Sequence, residues 1–150
     1  MTATPAATRA ALADFVRDAE LQLALLLEAD GRVIAQHGFT RRVDVVSAST
    51  LASAIQASTR ELGEMLSDRT LGPIHHAGGA RQLFLAPIPE AAPARLVLAV
   101  WDGRSSLGLV RVFWEQLATA LRRPVPAAAP APESFERDLQ ASLATLFGAA

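Results

Sequence analysis

The chain contains no cysteine, which removes disulfide bonds, thiol nucleophiles and thiolate metal ligands from consideration. It also lacks lysine; all 14 basic residues are arginine. That excludes the phosphate-loop lysine, Schiff-base chemistry and the Ser-x-x-Lys nucleophile pair. No apolar segment approaches the roughly 20 residues needed to span a bilayer, so membrane insertion is not expected. The first residues show no charged segment followed by a long apolar run, which argues against a secretory signal and for a cytoplasmic location. A formal net charge of -1 gives no electrostatic footprint for nucleic acid or for an acidic membrane surface.

Sites of chemistry are equally scarce. His75 and His76 are adjacent in a short extended segment, so their side chains point to opposite faces and cannot share a metal. His37 stands alone, and ordinary polar or capping roles fit all three histidines. Gly78-Gly79 lacks the strand–loop–helix setting of a phosphate cradle and reads as a hairpin turn. Asp30, Asp44, Glu61, Glu64 and Asp102 supply no convincing acid–base pair, and no Ser–His–Asp motif is present. Arg41 and Arg42 could act as an arginine finger, although a solvated charge pair is the commoner explanation for such a loop. Trp101 and Trp114 read as core. No cofactor, metal or catalytic residue is expected, and the chain does not read as an enzyme with its own active site.

What is present is a run of well-marked elements in one domain of 150 residues. Leu12, Phe15, Val16 and Ala19 recur at helical spacing over residues 6–19. Residues 21–28 and 95–101, LQLALLLE and RLVLAVW, are apolar on both faces and should be central strands of a covered sheet. Asp30-Gly31 suits a tight hairpin into a second strand over residues 32–38. Residues 39–44 read as a polar loop. Ile74 to Ala77, with Pro73 before it, suits an edge strand, and residues 81–88 form the strand that follows. Leu107 to Arg122 places Leu107, Val110, Trp114, Leu117 and Leu121 on one stripe.

The longest helix is read over Ser47 to Ser67, with Ser47 or Ser49 as cap. Its stripe of Leu51, Ile55, Ser58, Leu62, Met65 and Leu66 is expected to face the core. Small residues line both shoulders: Ser53, Ala54 and Ala57 on one, Ala52, Thr59 and Gly63 on the other. Small side chains let another backbone come close, so this helix is expected to pack against more than its own sheet. Beyond residue 123, PVPAAAPAP over 124–132 reads as an extended linker. Residues 133–148 then read as an amphipathic helix, with Phe135, Leu139 and Leu143 available for contacts with a partner.

Short turns pair strands 1–2, 3–4 and 4–5 antiparallel, and the two central strands must meet. The expected architecture is α/β: a five-stranded antiparallel sheet of order 2-1-5-4-3. The long helix covers one face and the first and last helices cover the other. Strand 3 is left on an open edge, a template for a second copy.

The segments LLLEADGRVIAQHG, STLASAIQASTRELGEML and LVLAVWDGRSSLGLVR, in this order and with these gaps, resemble the roadblock family of small dimerising modules. Within that family they are closest to the bacterial MglB-like group. The resemblance implies a roadblock domain over residues 6–123, with a longin- and profilin-like arrangement. It implies a homodimer in which the long helices lie side by side and the edge strands join. It further implies binding of a small Ras-like GTPase, whose hydrolysis is promoted by positioning, in signalling and bacterial cell polarity. On that basis Ser53, Ala54, Ala57 and Glu61 are the expected partner-binding residues, and Ala52, Thr59, Gly63, Ile74 and His76 the expected dimer contacts. A roadblock scaffold in a signalling or motility complex and a small-molecule sensory domain remain as alternatives.

Overall fold

In the computed structural model, which describes residues 5–38, 44–91 and 93–122, the central strands set the frame. β1 (Leu23–Glu28) pairs with β2 (Val33–Gly38) on one side and β5 (Arg95–Trp101) on the other. β4 (Gln82–Pro87) continues from β5, and β3 (Ile74–Ala77) closes the sheet at its far edge. All pairings are antiparallel, in the order β2-β1-β5-β4-β3. The expected topology is therefore the observed one, and so is the burial of β1 and β5 on both faces.

Side-chain alternation sorts these strands into two layers. Ala24, Leu26, Phe84, Ala86, Val97, Ala99 and Trp101 point to one face, where α1 (Pro5–Asp18) and α3 (Leu107–Arg122) cover them. Leu12 and Phe15 of α1 and Val110, Trp114, Leu117 and Leu121 of α3 complete that layer. Trp114 meets Phe84 edge-on, with ring centroids 5.6 Å apart. Both tryptophans are core, as the sequence suggests. Leu23, Leu25, Leu27, Leu85, Leu96 and Leu98 point to the opposite face, beneath α2 (Val45–Met65).

Most element ends lie within one or two residues of the sequence reading, and two of the differences have a visible local cause. β1 begins at Leu23 instead of Leu21, because Glu20 takes a left-handed φ of 54° and Leu21 is still in the turn that leaves α1. α2 is capped by Asp44, not by Ser47 or Ser49. Asp44 Oδ1 accepts the Ser47 backbone N–H at 3.2 Å, and the Ser47 hydroxyl donates to Oδ2 at 2.7 Å. Arg41, Arg42, the linker over 124–132 and the segment 133–148, with Phe135, Leu139 and Leu143, lie outside the described residues.

Candidate partner-binding surface

α2 is held to its own sheet by its small residues. Ala52 and Gly63 are buried beneath the helix, and Ser49 is buried with them. Gly63 is required by a close backbone approach: a Cβ there would fall 2.6 Å from the Asp68 carbonyl oxygen, while the Asp68 N–H donates to the Gly63 carbonyl at 2.8 Å. Near the start of the helix the Ser53 hydroxyl donates to the Ala29 carbonyl at 2.5 Å, tying α2 to the β1–β2 hairpin. Gly31, in that hairpin at φ 92°, brings its backbone close to Ser49 and Ser53.

Two expectations are corrected here. Ala52 and Gly63 do not lie on a surface free to meet a twin helix; Ala52 is buried among the strand leucines and Gly63 against the Asp68 backbone. The stripe expected in the core faces outward instead. Leu51 is 64% exposed, Leu62 51%, Met65 81% and Leu66 62%, and Ile55 is only partly covered. The side of α2 turned to the strands carries small residues, Ala52 and Ser49 with Ala48 and Val45 beside them, and the stripe of large side chains lies on another face of the helix.

The surface that results has three parts. Leu51, Ala54, Ile55, Ser58, Thr59 and Leu62 line a shallow, mainly apolar groove along the helix. Ala54 and Glu61 are exposed, whereas Ser53 and Ala57 are partly buried. Thr59 is partly buried, and its hydroxyl is satisfied by the Ile55 carbonyl at 2.9 Å. Of the four residues expected to bind a partner, Ala54 and Glu61 are the more exposed, and the Ser53 hydroxyl already has a structural hydrogen bond.

The edge strand β3 has no helix packed closely over it among the described residues. Ile74 is partly buried and His76 exposed, both on the α2 side of the sheet, where their pairing partners Leu85 and Leu83 lie. His75 points to the other face. Its ring stacks on Trp101 at 5.7 Å and its Nε2 lies 2.7 Å from Gln82 Oε1. His37 is exposed on β2. No group of three metal-ligating side chains occurs among the described residues.

Electrostatics single out no reactive group. Asp44, Asp68 and Asp102 are each held below the ordinary carboxylate range by hydrogen bonds from Ser47, Thr70 and Arg104 respectively, all local turn or cap contacts. A cavity of ≈ 520 Å³ opens between the C-terminal half of α2 and the end of the sheet, with Gln56, Gly63, Leu71 and Leu96 among its lining residues. Charges of both signs border it, Arg60 and Arg69 with Glu64 and Glu90. Sequence reasoning missed this cavity because it arises where the helix lifts off the sheet, which no periodicity records. No helix among the described residues is long and apolar enough to cross a membrane.

No protein-family model matches the sequence, and no curated protein matches it. Solved structures do. MglB of Myxococcus xanthus is similar with a TM-score of 0.74 at 21% identity, over 79% of this chain and 87% of that one. The gliding protein MglB of Thermus thermophilus gives 0.72 at 22% identity, over 82% and 92%. A Roadblock/LC7 domain from Streptomyces avermitilis gives 0.64 at 15% identity, over 83% and 97%. At these identities the likeness is one of architecture: the chain has the roadblock fold in the form seen in MglB.

Proposed function

We propose that this protein is a homodimeric regulator that binds a small Ras-like GTPase and promotes its GTP hydrolysis by holding the partner's switch loops in place. The observation that carries the reading is the outward apolar stripe of α2, together with the open edge strand β3. Burying a Leu side chain contributes about 1.5–3 kcal/mol, so exposing Leu51 and Leu62 together leaves a large driving force for association unused. The stripe is also self-complementary. Leu51, Ile55, Ser58, Leu62 and Met65 have spacings of 4, 3, 4 and 3, so an antiparallel copy sets Leu51 near Met65 and Ile55 near Leu62 about a small central Ser58. In this reading Thr59, Ile74 and His76 lie at the joint.

The GTPase is then received on the crest of the paired helices, at Ala54, Ala57 and Glu61 with Ser53 behind them. Positioning and electrostatics dominate phosphoryl transfer, so a regulator that fixes the switch loops needs no catalytic side chain of its own. The likeness to MglB supports this class over a general scaffold. The test is single-turnover GTP hydrolysis by an MglA-type GTPase with and without the protein. Acceleration by the wild type is expected, with at least a tenfold loss in Glu61→Arg, because a reversed charge in an interface costs several kcal/mol. Glu61 is exposed, so the variant should keep its Tm. Binding without acceleration would make the protein a scaffold.

A further inference from the structure

The polarity of the β3 edge determines how two copies can join there, and the joint brings a histidine against its own twin. The Gly78 N–H donates to the Arg81 carbonyl at 2.8 Å and closes the β3–β4 hairpin. Hydrogen-bonded and non-bonded pairs alternate along an antiparallel ladder, so His76 and Ile74 bond inward to β4. His75 and Ala77 are left with their N–H and C=O groups directed to the open edge. Residues facing each other across an antiparallel pair point to the same side of the sheet, whereas His75 and His76 point to opposite sides. A two-fold axis normal to the sheet therefore cannot set His75 opposite His76; it must set one residue opposite its own copy.

Centring the axis on His75 would pair Ala77 with Pro73, which has no N–H, and would leave the Ala77 carbonyl without a donor. Centring it on His76 pairs His75 with Ala77 twice, and all the edge N–H and C=O groups of both residues are satisfied. We infer that the dimer joint is built around His76 and its twin, about 4.5–5.5 Å apart at Cβ, and that protonation of this pair weakens the dimer. The inference rests on the dimer reading given above.

The sign follows from charge. Imidazoles in water take up a proton near pH 6.5, and two cations facing each other across a ladder repel. The dimer disfavours the doubly charged pair, so its affinity falls as pH falls. On this side of the sheet the neighbouring elements carry Arg81, Arg60, Glu61, Glu64, Asp68 and Arg69. None forms an ion pair with His76 among the described residues. Arg81, at the hairpin turn of the same two strands, adds to the repulsion. Unlike His75, which has Gln82 and Trp101, His76 is exposed at the edge, where the twin is the group that would face it.

The experiment is sedimentation equilibrium of the full chain at about pH 7.5 and about pH 5.5, for the wild type and for His76→Gln. The wild-type dimer Kd should rise roughly three- to thirty-fold at the lower pH, the range spanned by screened and partly desolvated charges at this separation. In His76→Gln the change should be less than about twofold, since no imidazole pair remains at the joint. A wild-type dimer whose Kd is the same at both pH values, or a His76→Gln dimer that keeps the full shift, overturns the histidine joint and leaves the dimer standing. A chain that is monomeric at both pH values overturns the dimer itself and the joint with it.

Discussion

The two faces of the sheet have been built to different ends. The α1/α3 face is closed: Phe84, Trp101, Trp114, Leu12 and Phe15 are all nearly inaccessible, and both helices send large side chains into the layer. On the α2 face the strands supply six leucines to the buried cluster, while α2 supplies Ala52, with Val45 and Ala48 packed at its margin. The same amphipathic logic thus ends in a finished core on one side and in an apolar ridge facing outward on the other. Stability is concentrated in the first face. The second is where a partner, a twin or both can be accommodated.

The largest effect should come from opening the closed face. Phe84→Ala removes a ring that is 1% exposed and lies against Trp114. Large-to-small changes of this kind cost about 3–5 kcal/mol, because the surroundings collapse only in part. Urea denaturation should show that loss at any protein concentration. A cost below about 1 kcal/mol would mean that the α1/α3 layer is not the stable half of the molecule.

The next prediction separates the faces. Leu62→Glu puts a charge on the outward ridge, at a side chain that is 51% exposed in the protomer. The folded chain should tolerate it, as surface substitutions usually change stability by about 0.5 kcal/mol or less. The dimer should not, since the carboxylate would be desolvated against Ile55 of the twin. Light scattering is expected to give the mass of one chain, with the far-UV spectrum unchanged. If the variant instead loses its cooperative transition, the ridge belongs to the protomer's own core after all.

The sequence was legible where one chain decides its own packing. LALLLE and RLVLAVW are apolar at every position but the last or first, which can hold only for strands covered on both faces; the sheet order follows from that. It was not legible at α2, where Leu51, Ile55 and Leu62 also recur at helical spacing. Periodicity says that such a stripe is to be covered; it does not say by which chain. The discriminating signal was the small set Ala52, Gly63 and Ser49 on a neighbouring face, which are the residues of α2 that are buried. The Asp44 cap was passed over because Ser47 and Ser49 also fit, and only the backbone shows that Asp44 has the extended conformation of a cap, at φ -73° and ψ 97°. The proposed binding residue Ser53 turned out to be tied to its own hairpin, through the Ala29 carbonyl.

The smallest expected effect probes how lightly α2 is held. Asp44 is fully solvated, and its carboxyl is kept below the ordinary value by hydrogen bonds from the Ser47 hydroxyl and backbone. A carboxyl with a depressed value in the folded state stabilises that state when ionised. Its contribution is complete above the unfolded value of about 3.9 and is lost as pH falls through the folded value. The unfolded chain binds this proton first, so acid should loosen the start of α2 before it reaches the α1/α3 layer. Asp44→Ala should mimic that state at neutral pH. Amide exchange at Val46, Ser47 and Ala48 should then quicken, while Leu26, Val97 and Ala99 in the central strands stay protected, because local opening of a thinly packed helix end need not involve the closed face. In the wild type the same amides should quicken relative to those of the central strands only on acidification below the ordinary carboxylate range, after correction for the intrinsic exchange rate. Equal quickening in both sets of amides, in the variant or in acid, would mean that α2 opens only with the whole domain and that the two faces do not differ in the way their packing suggests.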